Sequence, residues 1–213
     1  MPYGLKVVVV MVFNVITWPA WGLALADRWF FRSERAFDFF AKLLSLVPGR
    51  TGQYLRASFY VRTLERCHHD LMVGFGSFFS HPTAKVGRRV SIASFSIVGT
   101  ATLEDGVMIA SRVSVLSGKY HHGDSATGPG YPGRRVRYER VRIGRGSWIG
   151  EGAVIMADVG PRCIISAGSV VTKTVPQDTT AIGNPARFVR RESSLNGVPA
   201  PKKIGLAIHG VHG

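Results

Sequence analysis

The sequence predicts a mainly β chain, a parallel β-helix of triangular cross-section, preceded by an α-helical region. Three observations predict it. From Val73 onward a large aliphatic or aromatic residue recurs about every six positions, the glycines (25 of 213 residues) gather between Val73 and Gly183, and residues 7–26 form an apolar run without a charge. The hydrophobic share of 46% excludes a disordered chain. Two cysteines, Cys67 and Cys163, supply neither a disulfide framework nor a cysteine-based zinc site. The chain divides into a membrane-associating helical region over residues 1–70, the β-helix over 71–185 with an inserted loop at 117–142, and a loose tail over 186–213.

The charge-free stretch Val7–Ala26 would make a helix ~30 Å long, close to the thickness of the hydrocarbon core. Asn14, Thr17 and Pro19 weaken a straight span, and Trp18 and Trp21 prefer the interface. Spanning, re-entrant and interfacial placements stay open, as does a buried core helix; a secretory signal ranks last because the run is long and interrupted. Phe37, Phe40, Leu44 and Phe39, Leu43, Leu46 fit an amphipathic helix over 33–47, stopped by Pro48-Gly49. A second helical pattern runs from Thr51 to about Arg66. The formal charge is 27 − 13 = +14, and eight of the basic residues lie between Arg28 and Arg66 among bulky apolar side chains. That mixture suits an anionic membrane surface rather than a nucleic acid, and it places the block on the cytoplasmic face of the inner membrane.

The six-residue pattern passes through Val73, Phe79, Val86, Ile92, Ile97 or Val98, Leu103, Ile109 and Val115, then resumes at Ile143, Ile149, Ile155, Val159, Ile165 and Val171. The next residue is often Gly, Ala or Ser, and four residues on stands a small or β-branched one, such as Ser77, Ser96, Ser147 or Cys163. Six is the period of a triangular prism in which each hexad makes a short strand and a corner, with the aliphatic and small residues inward and the glycine-like position in the turn. At three hexads per level the count gives roughly four to five coils. An antiparallel sandwich would need alternation over longer strands and hairpin dipeptides.

Residues 143–191, with the strings SAGSVVTK, VP and GNPAR, resemble the C-terminal part of galactoside, maltose and xenobiotic O-acetyltransferases, members of the hexapeptide-repeat acyltransferases. Residues 71–122 continue the resemblance, and 50–80 resemble membrane-associated members that decorate exopolysaccharide or lipopolysaccharide sugars. The resemblance implies a left-handed β-helix, acetyl-CoA as co-substrate with no metal, a saccharide acceptor that is lipid- or nucleotide-linked, and a homotrimer with sites between prisms.

The insertion carries His121 and His122 at its mouth. Acetyl transfer to a hydroxyl needs a base near neutral pH, which imidazole supplies; the family pattern favours His122, with His121 second. By resemblance, Trp148 flanks the acceptor or pantetheine groove, Gly150, Ala167 and Gly168 offer backbone to the pantetheine, and Lys173, Arg187 and Arg190 meet the coenzyme phosphates. Arg134, Arg135, Arg137, Arg140 and Arg142 give the loop a positive field suited to an acidic acceptor, a lipid headgroup or a subunit boundary. His68, His69, His209 and His212 are expected at the surface. Two other functions compete: a γ-type zinc hydratase with His81, His121 and His122 as ligands, and a non-catalytic membrane-anchored scaffold.

Overall fold

The computed structural model describes residues 12–116 and 140–190. Helices α1 (Trp18–Ala26), α2 (Arg35–Ser45) and α3 (Gly49–Thr63) precede a stack of short strands. A π-helical turn, Asp27–Phe31, and a left-handed Arg32 (φ 50°) reverse the chain between α1 and α2. No helix of the described residues is long and apolar enough to cross a membrane. The two apolar sets of α2 separate in space: Phe37 and Ala41 are buried, whereas Phe39, Leu43 and Leu46 are exposed.

The solenoid begins at Arg66, earlier than the hexad count, because β1 (Arg66–Cys67) already pairs in parallel with β4 (Lys85–Val86). Face A stacks β1, β4, β7 (Ala101–Leu103) and β10 (Val141–Ile143), extended by bridges at Val159 and Val175. Face B stacks β2 (Met72–Val73), β5 (Ser91–Ile92), β8 (Met108–Ile109), β11 (Trp148–Ile149), β13 (Ile164–Ile165) and β15 (Thr179–Ile182). Face C stacks β3 (Phe78–Phe79), β6 (Ile97–Val98), β9 (Ser114–Val115), β12 (Val154–Ile155) and β14 (Val170–Val171). These make five complete coils and part of a sixth. Every hexad aliphatic from Val73 to Val175 is buried, and the choice between Ile97 and Val98 falls to Val98, since Ile97 is exposed. Arg140 and Arg142, read as loop residues, belong to coil 4, because Val141–Ile143 is a strand of face A.

The glycine-like position does a different job from the one expected. Left-handed backbone falls three residues after the inward aliphatic, at Gly76, Arg89, Phe95, Gly106, Arg112, Gly146, Gly152, Arg162, Gly168 and Asp178. The residue directly after the aliphatic is glycine where the next coil leaves no room. A Cβ on Gly144 would lie 2.4 Å from the Pro161 nitrogen, and one on Gly150 2.5 Å from that of Ala167. The small residues four along are inward, as their spacing requires, and their hydroxyls bind adjacent coils together. Ser96 Oγ donates to Ala110 O (2.9 Å) and accepts from Val113 N–H (3.0 Å); Ser147 Oγ does likewise with Gly160 O and Cys163 N–H. These are buried groups that would otherwise lose water without replacement.

The helices close the first coil. Arg56 on α3, 1% exposed, donates from Nε to Val73 O (3.0 Å) and from Nη1 to Leu44, Ser45 and Val47 carbonyls. Its guanidinium thereby caps the C-terminus of α2 while gripping face B. Tyr60 packs edge-on to Phe79, and its hydroxyl accepts from Phe79 N–H (3.2 Å). At the other end, β16 (Arg187–Arg190) turns back antiparallel on β15 through a cis Asn184–Pro185 bond in the GNPAR string.

Candidate functional site

The insertion interrupts the corner between faces C and A, leaving after β9 and rejoining the prism at Arg140 ahead of β10. His121, His122, Arg134, Arg135 and Arg137 lie outside the described residues. The residues that flank the interruption are ordered by ion pairs. Arg140 donates to Glu65 Oε2 (2.6 Å) and to Thr83 O, Lys85 pairs with Glu65 at 2.8 Å, and Arg142 forks onto Glu104. The hydrogen bond from Lys85, then that from Arg140, holds the Glu65 carboxyl below its ordinary range. Burial works against the Glu104 charge, but the bonds from Arg142 and from Arg145 N–H outweigh it and its carboxyl is also pushed down.

Beside this corner, face A and its edge toward face B form an open groove of about 650 Å³. Its charged lining is Arg66, Lys85, Arg142, Arg145 and Arg162 against Glu104 and Asp105, a net 5 − 2 = +3. Reading the sequence did not find this groove, since its cations come from four coils. The available signal was the basic residue just before the inward one in successive hexads of one face: register aligns Arg66 with Lys85, Lys85 with Thr102, and Thr102 with Arg142.

The residues assigned by resemblance gather elsewhere. Trp148 projects from face B, 40% exposed, in one column with Met108 and Ile164. Gly150 lies at the corner from face B to face C in coil 4, and Ala167 and Gly168 stand one rung on at the same corner. Gly150 N–H donates to Ile165 O (2.8 Å) and Gly168 N–H to Glu151 O (2.8 Å), so both are already spent on coil stacking. Gly150 is bare because a Cβ would meet the next coil, whereas Gly168 (φ +68°) faces open space. Arg187 and Arg190 flank face B on β16, opposite Ile182 and Thr179. Exposed Lys173 follows β14, at the corner from face C to face A, away from the rest. The chain thus brings together Trp148, Gly150, Ala167, Gly168, Arg187 and Arg190, whereas the insertion that carries His121 and His122 in sequence departs from the opposite edge of face C.

The other described histidines are engaged, while His209 and His212 lie outside the described residues. His68 and His69, expected at the surface, have tilted rings with centroids 4.1 Å apart, and half-buried His68 meets Asp70 at 2.7 Å. His81 Nδ1 meets Glu34 Oε2 at 2.9 Å, which ties the helical hairpin to coil 1. Among the described residues no group of three His, Cys, Asp or Glu could hold a metal. Burial pushes the Cys67 and Cys163 thiols above their ordinary range, so neither is poised as a thiolate.

Residues 140–173 match the model of the bacterial transferase hexapeptide (six repeats). The matched stretch is coil 4 and most of coil 5, which carry transferase-type hexapeptide repeats. Over 119 residues, 54% of this chain and 38% of its own length, the serine acetyltransferase of Salmonella typhimurium is 38% identical. WbbJ of Escherichia coli K12, named for lipopolysaccharide biosynthesis O-acetyl transfer, is 29% identical over 125 residues, 55% of this chain and 62% of that protein. The chain therefore spans between about four- and six-tenths of these curated relatives. A solved galactoside acetyltransferase in complex with coenzyme A superposes with a TM-score of 0.58 at 24% identity, covering 72% of this chain and 79% of that one. The shared fold makes the hexapeptide solenoid a left-handed β-helix of about 5 turns.

Proposed function

We propose that this protein is an O-acetyltransferase that moves acetyl from acetyl-CoA to a saccharide hydroxyl of a cell-surface or exopolysaccharide precursor. The observation that carries it is a transferase-hexapeptide prism interrupted at one corner by a loop that opens with His121-His122. His122, or His121 in its place, takes the proton of the acceptor hydroxyl as that oxygen attacks the thioester carbonyl. The tetrahedral oxyanion then collapses, the C–S bond breaks, and the imidazolium returns the proton to the departing coenzyme A thiolate. Imidazole in this role contributes ~10²–10⁴ in rate. With both cysteine thiols buried and pushed up, direct transfer needs no acyl-enzyme.

A saccharide acceptor is favoured by the likeness to WbbJ and galactoside acetyltransferase, and acetyl-CoA by the coenzyme A bound in the latter. Trp148, Gly150, Ala167, Gly168, Arg187 and Arg190 of one prism receive the coenzyme, and Lys173, on the edge that carries the insertion, reaches it from the neighbouring prism. Two separated edges of the prism carry the base's root and most of these residues, which supports a homotrimer in which one prism supplies the loop and its neighbour the Trp148 face. The assembly works on the cytoplasmic face of the inner membrane, where coenzyme A is available. The decisive experiment is titration of purified protein with coenzyme A, followed by acetylation of candidate lipid- and nucleotide-linked sugars. Binding together with transfer to a sugar supports the reading; serine as the sole acceptor would replace it. Lys173→Ala or Arg190→Ala should raise KM for acetyl-CoA more than for a truncated donor without the nucleotide phosphates.

A further inference from the structure

The prism and the helical region differ in where they leave apolar surface. Of the twenty large hydrophobic side chains exposed among the described residues, twelve fall within residues 12–46, far more than a face covered by its own chain would leave. They peak at the hairpin tip between α1 and α2. There Trp29, Phe30 and Phe31 are 85%, 78% and 79% exposed, and Arg28 and Arg32 bracket them so that five consecutive residues face outward. Phe39, Leu43 and Leu46 continue the exposure along one face of α2, with Arg35 and Lys42 beside them.

The tip is held rather than loose. Trp29 and Phe30 stack with centroids 6.1 Å apart, Asp27 Oδ2 accepts from Ala36 N–H (3.1 Å), and Glu34 is fastened to His81 of the first coil. A rigid aromatic wedge with cations at its shoulders matches one surface in particular. Indole and phenyl rings partition to the headgroup boundary of a bilayer, while guanidinium groups stay in the phosphate layer and are drawn by anionic lipid. Arg28, Arg32 and Arg35 make no ion pair among the described residues, so they are available to phosphates.

We propose that Trp29-Phe30-Phe31 is an insertion wedge that seats the enzyme in the interfacial layer of an anionic bilayer, with Arg28 and Arg32 reading the charge of the headgroups. The inference rests on the proposed membrane location and is independent of the acetyl-transfer chemistry. Because Glu34 and His81 join the tip to coil 1, the wedge also fixes the prism's attitude to the membrane and holds the catalytic corner at a set height above it.

The test uses full-length protein and flotation with vesicles of phosphatidylcholine alone or mixed with phosphatidylglycerol at about 7:3, the latter supplying the negative surface potential. Wild type should float preferentially with the mixed vesicles. The combined Trp29→Ser, Phe30→Ser, Phe31→Ser variant should lose at least about tenfold in partitioning, and the Arg28→Gln, Arg32→Gln variant should lose only the preference for anionic lipid. Phe95→Ser, on an exposed corner of the prism, serves as the control and should float like wild type. Brominated lipids should quench wild-type tryptophan fluorescence more than that of Trp29→Phe. Wild type that floats while the wedge variant floats equally well would overturn the wedge and keep the membrane location. Wild type that does not float would overturn both. A wedge variant that changes oligomeric state in sedimentation, with vesicle binding intact, would assign the patch to a second copy of the chain instead.

Discussion

Two of the prism's three edges count six residues from one inward side chain to the next at every level. The third counts 7, 5, 28, 4 and 4, from Phe79 to Val86, Val98 to Leu103, Val115 to Ile143, Ile155 to Val159 and Val171 to Val175. The difference lies in the backbone. Nearly all corners of the first two kinds carry a residue at positive φ, the first corner from face A to face B excepted, and among the described residues the third kind carries none. A left-handed residue together with a close-approach glycine fixes the length and direction of a turn. Where neither is required the chain is free to shorten, lengthen or accept an inserted loop, and there the histidine pair enters. Fixed corners hold the scaffold, and under the proposed function the free corner is where the chemistry is placed.

The sharpest test of that division is His122→Ala. It should lower kcat by ~10²–10⁴ while thermal denaturation and the sedimentation profile stay as in wild type. An equal loss on His121→Ala alone, with His122→Ala active, would move the base by one residue; loss of neither would break the assignment of chemistry to the free corner. The opposite result is expected at a fixed corner. Gly150→Ala drives a Cβ to 2.5 Å from the Ala167 nitrogen, an overpacking that costs ~1–3 kcal/mol and should appear as a lower denaturation midpoint. One extra glycine between Met156 and Asp158, in a corner already four residues long, should shift that midpoint less. Equal shifts would erase the distinction between edges.

Ser96→Ala probes the hydroxyl spine rather than the turns. It leaves Val113 N–H and Ala110 O buried without their partner, a loss of ~1–3 kcal/mol at its largest to be read by chemical denaturation. The smallest effect is acidic. Glu65, Glu104 and Asp105 have carboxyls held below their ordinary values, so each stabilises the fold fully above its unfolded pKa of about 4 and loses that contribution as pH falls through the lower folded value. These groups are partly solvent-exposed, so the effect is modest. Glu65→Gln should lower the neutral plateau slightly and flatten the acid limb, so that variant and wild type converge at low pH.

The prism was legible because its period belongs to the core. Val73, Phe79, Val86 and their successors must face inward whatever decorates the outside, so burial writes itself into the spacing. The turn chemistry was half legible. Glycines after the inward residue stood out, but the left-handed conformation falls two residues further on, where Arg89, Phe95, Arg112, Arg162 and Asp178 give no compositional sign of it. Trp148, Gly150, Ala167 and Gly168, assigned by resemblance, fall on adjoining coils, and the amides of Gly150 and Gly168 are committed to neighbouring coils. The basic groove on face A and the buried Arg56 escaped for one reason. Each is made by residues distant in sequence, and an arginine in the second helical pattern carries no mark distinguishing four carbonyl partners from bulk water.

Arg56 and Tyr60 also bear on polymerisation. A stack of parallel rungs is, at each end, a template for another rung, and an open end recruits any like strand that reaches it. Here the helices occupy the first rung through a guanidinium on Val73 O and a phenol on Phe79 N–H, and β16 folds back over the last rung of face B. The helical region is a chain terminator as well as a platform: a fragment beginning near Leu71 lacks β1 and the plug, and is expected to grow end to end into fibrils rather than remain a soluble prism.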